Sequence, residues 1–385
     1  MSVDLIAASR QWSTRPADQR FSSFADLVTY CQGARDRAVA AKRLYSELRA
    51  EKQGDDVVLA GPRGTATLTN HSFGQLATLA GAPGGYLRGL PATLAVQNLN
   101  HGLKERAGEN DSAGAAMLLL DRTPVTGEYV ARAITTEKYS RVWDADIATR
   151  LVEFVANNPA WTNPPAYAHS DADKARPGYD PETGTVPSGL YASDRDMFAF
   201  LVDGGHILDT GNKGAGMNRG FYVSNSEVGD KSLSFTAFAF DKICGNHIIW
   251  GARDVSQLRI RHVGDADKRA WSKVAIELRA YAESSTAGIE KRIVAARSAV
   301  LGGNKLDALD AALKMVAKAR VPLSQKAVKE ALDTAEARED RYGNPRTVWG
   351  LVSGLTENSQ RYANVDDRTV VDRAAGKILE MVSDF

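Results

Sequence analysis

The stretch Gly220-Phe-Tyr-Val-Ser-Asn-Ser-Glu-Val-Gly229, followed by Leu233-Ser-Phe-Thr-Ala-Phe-Ala-Phe240, sets the fold class. Two runs of aromatic and β-prone residues flank a polar turn of Asn, Ser and Gly, the pattern of an antiparallel hairpin. In the second run Leu233 and Phe235 fall on one face and Phe238 and Phe240 on the other. That change of phase predicts a bulge, or a strand buried on both sides near its end. Just upstream, Met197-Phe-Ala-Phe-Leu-Val202 is continuously apolar, as expected of a strand covered on both faces.

Away from this hairpin the pattern becomes helical in both directions. Towards the N-terminus, Phe24, Leu27, Val28, Cys31, Ala34, Ala38, Ala41, Leu44, Tyr45 and Leu48 recur every three or four residues and predict a helix over 22–52. A hairpin is predicted at 56–60 and 65–68 around Gly61-Pro62-Arg63-Gly64. A helix from Asn70 should stop at Gly81, and another should run from Pro91 to about Arg106. Strands are predicted at 115–121 and 129–135, and a helix over 144–157 with Ile147, Leu151, Phe154 and Val155 inward. Residues 158–188 carry six of the chain's 13 prolines and read as a long loop or linker. Beyond Gly264 the apolar spacing is helical to the end. The expected architecture is α+β: an N-terminal α+β region (1–157), the Pro-rich segment (158–188), a mainly antiparallel β core (189–263) and a helical C-terminal subdomain (264–385).

Composition narrows the function classes. The 385 residues hold 48 Lys+Arg against 47 Asp+Glu, which excludes a chain that binds polyanions by being basic all over. The near-cancellation is local, however. Residues 253–346 hold 19 basic against 13 acidic side chains, whereas 131–252 hold 11 against 15. Two cysteines, Cys31 and Cys244, are too few for a disulfide framework, and no apolar run reaches the roughly 18 residues of a membrane span. A cytoplasmic protein without a membrane partner is expected.

Several constellations invite a chemical reading. The glycine-rich stretch 204–220 lacks the P-loop ending and the dinucleotide spacing, and it leads into a strand, not a helix. It reads as a hairpin connection in which Lys213 and Arg219 could touch phosphates. Cys244 and His247 form a C-x-x-H pair, but a structural zinc needs four ligands and no second pair is spaced to complete it, so neither metal nor cofactor is expected. Ser224, Ser226 or Cys244 as nucleophile, His247 as base and Glu227 or Asp241 as orienting carboxylate would make a triad only if folding brings them together. The bland alternative is a polar hairpin turn in which Asn and Ser satisfy backbone groups locally.

The Asn-Ser-Glu-x-Gly core of 220–229, the following strand, and Asp241-Lys-Ile-Cys-Gly-Asn-His-Ile-Ile-Trp250 together resemble a family of phages, prophages and plasmids known as domain of unknown function 932. Leu68-Thr-Asn-His-Ser-Phe-Gly-Gln-Leu-Ala77 and Thr347-Val-Trp-Gly-Leu-Val-Ser-Gly-Leu-Thr-Glu357 agree with it as well. The resemblance implies a mobile-element setting and hence DNA-related work, such as single-stranded DNA binding or annealing in recombination or replication. Combined with the basic segment, it points to a non-enzymatic nucleic-acid binder, potentially oligomeric, whose phosphate contacts come from Arg259, Arg261, Lys268, Arg269, Lys213 and Arg219. The competing expectations are an enzyme with a polar site at Asn225, Ser226, Glu227, Cys244, Asn246 and His247, or a protein-interaction module.

Overall fold

The structure is a computed structural model that describes residues 19–62, 64–108, 114–167, 171–175, 178–182, 184–187, 189–208, 217–241, 247–249, 258–359 and 365–384. It is an α+β fold with two sheets. The larger sheet is built on the hairpin that opens the sequence reading. Met197–Leu208, Met217–Asn225 and Leu233–Asp241 lie side by side and antiparallel, flanked by Leu190–Ala192 and Arg20–Phe21 on one side and by His247–Ile249 and Leu258–Ile260 on the other. The pairing of Met217–Asn225 with Leu233–Asp241 runs without a register shift. Of the two predicted explanations for the phase change, burial on both sides therefore holds. Phe221, Phe235 and Ala237 enter the main core, while Phe198, Phe200, Tyr222 and Phe238 form an aromatic layer on the opposite face.

The main core joins distant parts of the chain. Leu27 and Cys31 from the helix Phe24–Asp36, Ile147 and Leu151 from Asp144–Asn157, and Val274 and Leu278 from Ala266–Glu283 pack with Phe221, Val223 and Phe235. The expected boundaries at 157/158 and 263/264 thus fall inside one core. Within the Pro-rich segment, Trp161 is buried and pairs with Asp203, and Pro165–Tyr167 pairs with Thr185–Pro187, so much of this stretch is tied to the body of the fold.

The second sheet, inserted between those helices, has the order Ala38–Leu44, Ala115–Arg122, Tyr129–Thr136, Gly64–Leu68, Asp56–Gly61, Ala50–Gln53. Its one parallel pair is Gly64–Leu68 with Tyr129–Thr136. Helices Asn70–Leu79 and Ala92–Ala107 cover one face through Leu76, Leu99 and Leu103. Here the structure corrects the predicted 22–52 helix. The helix ends at Asp36, and Ala38–Leu44 is a strand paired over seven residues with Ala115–Arg122. Alanine-rich sequence is compatible with helical periodicity, but backbone pairing to an apolar neighbouring strand overrides that weak preference.

The C-terminal third is helical, as expected. Val348–Ser359 is buried nearly all round, and its glycines allow close crossings. A Cβ on Gly354 would stand 2.0 Å from the Ala331 carbonyl oxygen, and one on Gly350 would stand 2.4 Å from that of Pro345. Its one acid, Glu357, is buried but accepts from the Tyr342 hydroxyl at 2.6 Å and from Arg338 Nε at 3.3 Å.

Candidate functional site

The Asn-Ser-Glu turn of 225–229 is not exposed. Asn225, Ser226, Glu227 and Val228 are all buried between the two sheets, where Val228 packs on Leu119 and Ala133 of the smaller sheet. A turn placed there must have its polar groups satisfied by neighbours instead of water. Three consecutive carbonyls receive side chains from the N-terminal region. Tyr139 donates to Ser226 O at 2.8 Å, Arg141 Nε to Glu227 O at 2.8 Å, and Gln75 Nε2 to Val228 O at 2.7 Å. His71 Nε2 also lies 3.2 Å from Val228 O.

The turn's own side chains reach back. Asn225 Nδ2 donates to Val142 O and to Asp144 Oδ1, and Glu227 Oε1 accepts from the Asp144 main-chain N–H at 2.9 Å. Glu227 Oε2 lies 3.1 Å from Arg132 Nη2, an ion pair with both side chains almost fully buried. Ser226 Oγ donates to Arg195 O and accepts from the N–H groups of Val228 and Asp230, so the expected local satisfaction of the backbone holds for the serine. Asn225 and Glu227 instead bridge the sheets. Burial, and then the neighbouring Glu227 carboxylate, push the Asp144 carboxyl well above the usual range.

Beside the joint runs a ladder of rings and cations. His262 stacks on Tyr139 with centroids 5.2 Å apart and planes 3° off parallel. Arg141 sits over both Tyr139 and Trp143, and Arg35 sits over Trp143 at 5.3 Å. Burial lowers the pKa of His262 to about 4, so its imidazole is neutral in the fold at ordinary pH.

The expected phosphate contacts separate into distinct environments. Arg219 is only 6% exposed. Its Nε pairs with Asp203 Oδ2 at 3.0 Å, and its Nη atoms donate to the carbonyls of Tyr281, Ala282 and Ser284 at the end of the Ala266–Glu283 helix. The expectation that Arg219 faces a phosphate is therefore corrected: the guanidinium closes a helix C-terminus, where its charge is favourable. Arg261, Lys268 and Arg269 are exposed together, with Lys273 one turn further along the same helix. An antiparallel bridge between Tyr139 and Val263 joins this segment to the turn that carries exposed Lys138. Arg269 also reaches back to the Val263 carbonyl, and Asp265 is the acidic neighbour at the helix start. Farther along, the basic helices neutralise themselves. Lys305 pairs with Asp333 and Glu336, Lys314 with Asp310, and Lys326 with Glu330.

Lys213, Cys244 and Asn246 lie outside the described residues, as do the side chains of His247 and Arg259. His247 is placed by its backbone, opposite Phe240, and Arg259 opposite Ser234. Ser224 shares a hydrogen bond with Ser234. The triad expectation therefore gains no hydroxyl–imidazole contact among the described residues.

Sequence reasoning missed Arg132, Tyr139, Arg141 and Asp144, the partners of the turn. Arg132 carried a signal, since it is a charge in the middle of the apolar strand Tyr129-Val-Ala-Arg-Ala-Ile134 and has to find a buried partner. No curated protein and no solved structure matches the chain. A family model does match, over residues 208–378, and that span holds the Asn-Ser-Glu turn, the exposed basic face and most of the C-terminal helices. Over this stretch the chain matches the family described as Domain of unknown function (DUF932).

Proposed function

We propose that the chain is a DNA-associated protein of mobile-element type that holds single-stranded nucleic acid by its backbone, in recombination or replication. The observation that supports it is that Arg261, Lys268, Arg269 and Lys273 are all exposed, within a stretch, 253–346, that carries 19 basic against 13 acidic side chains. Exposed cations release counterions from a phosphate chain, which gives affinity without base specificity. Tyr139 and Trp143, near the bridge to Val263, are already flanked by His262, Arg141 and Arg35. The hydroxyl of Ser226 and the carboxylates of Glu227 and Asp144 are engaged within the buried joint, so the proposal rests on the basic residues and not on a reactive centre.

The test is fluorescence anisotropy with labelled single- and double-stranded oligonucleotides at low ionic strength. Salt-sensitive binding, weakened when Arg259, Arg261, Lys268 and Arg269 are all replaced by Ala, is the expected result. No binding to either oligonucleotide, or binding unaffected by the fourfold replacement, would refute the proposal.

A further inference from the structure

The strand Ala38–Leu44 is an edge of the smaller sheet, and among the described residues it pairs on one side only, with Ala115–Arg122. The hydrogen bonds at its two ends fix which backbone groups face outward. Arg37 O accepts from Arg122 N, and Tyr45 N donates to Gly114 O. Odd-numbered residues therefore face the neighbouring strand, and Ala38, Ala40, Lys42 and Leu44 turn N–H and C=O away from it. The chain covers one end of this row itself: Leu44 N donates to Glu47 Oε2 at 2.9 Å, and Arg43 Nη1 donates to Lys42 O at 2.8 Å. Among the described residues, none pairs with the outward groups of the Ala38–Lys42 stretch other than Arg43 with Lys42 O.

Edges are ordinarily blunted by charged side chains, by proline or by a bulge. Here Lys42 is drawn to Glu137 at 2.5 Å and Arg43 folds back on its own chain, while Val39 and Leu44 are 37% and 38% exposed. A cleft of about 280 Å³ lined by Val39, Ala41, Arg43, Leu118, Leu120 and Tyr129 opens beside the same edge.

We infer that this edge pairs with the same edge of a second copy, antiparallel about a twofold axis, with Ala40 opposite the partner's Ala40. In that register Ala38 meets the partner's Lys42 and Val39 meets the partner's Ala41. Each outward N–H finds a carbonyl, and Lys42 O keeps a second lone pair for the purpose. The alanines at the centre permit close approach, the Arg37 that comes opposite Arg43 of the other copy has its charge paired with Asp121, and the two six-stranded sheets become continuous. The short strand pair is supplemented by apolar contact across the cleft.

The test is light scattering coupled to size exclusion, over a hundred-fold range of protein concentration reaching about 0.1 mM. The wild-type chain should pass from monomer to dimer, whereas Ala40→Pro and Ala40→Lys should stay monomeric with unchanged circular dichroism. Ala40 N points outward, so proline there spares the sheet's own bonds. If the proline variant fails to fold, the lysine variant decides. A wild-type monomer throughout the range, which would leave the edge to a strand of another protein, overturns the inference. So does a dimer that both folded variants retain.

Discussion

The Asn225–Gly229 turn and the Arg261–Lys273 stretch are both polar and lie within the same family match, yet the fold uses them in opposite ways. In the turn every charge is matched inside the protein: Glu227 to Arg132, and the turn's carbonyls to Tyr139, Arg141 and Gln75. In the basic stretch Arg261, Lys268 and Lys273 remain at the surface. The difference teaches that polar density in a sequence does not by itself mark a binding site. Where polar side chains are consumed by main chain they hold the fold together, and where they stay solvated they are available to a ligand.

The comparison breaks most easily at Glu227. Removing one partner of a buried pair leaves the other charge dry and unmatched, so Glu227→Ala should lose about 3–5 kcal/mol in urea denaturation, against less than about 0.5 kcal/mol for a solvated turn acid. An apolar pair of similar volume, Arg132→Met with Glu227→Leu, should recover a large part of that loss. Next in size is Arg219→Met, which strands Asp203 and three helix-end carbonyls and should cost about 3 kcal/mol by thermal or chemical unfolding.

A smaller effect comes from His262. Its folded pKa of about 4 lies below the ordinary value of 6.5, so the unfolded chain binds the proton more readily. The neutral ring's contribution is intact above about pH 6.5 and declines as pH falls towards 4, by about 1 kcal/mol per pH unit at most. Asp144 acts with the opposite sign. Its raised pKa means that stability is lost as pH climbs through the folded value. Comparing wild type with His262→Phe at pH 7 and pH 5 isolates the histidine, and the wild-type disadvantage should grow at the lower pH. The smallest change in stability, within about 0.5 kcal/mol, is expected for Arg261→Ala with Lys268→Ala, because both side chains are exposed.

Much of the fold was legible from local pattern. The helix Asp144–Asn157, the strands near 115–136 and the central hairpin follow directly from apolar spacing and turn residues. The strand Ala38–Leu44 did not, because Ala, Val and Leu at three- and four-residue spacing fit a helix until pairing with Ala115–Arg122 is known. The boundaries were illegible for a related reason. Leu27, Ile147 and Phe221 share a core that no single stretch of sequence displays. Of the candidate site, the Asn-Ser-Glu residues could be singled out from their pattern. Their role depends on Arg132, Tyr139 and Asp144, which stand more than 80 residues away in the chain.

Charge division between an internal joint and an outer binding face is tested most directly by the salt dependence of single-strand binding. The slope of log affinity against log salt should be measured for wild type, for Arg261→Ala with Lys268→Ala, and for Arg219→Met kept below its melting temperature. The expected result is a slope shallower by about 1.4 in the double variant, from two lost phosphate contacts, and an unchanged slope in Arg219→Met. A folded Arg219→Met protein that loses the slope, while the double variant keeps it, would contradict the account.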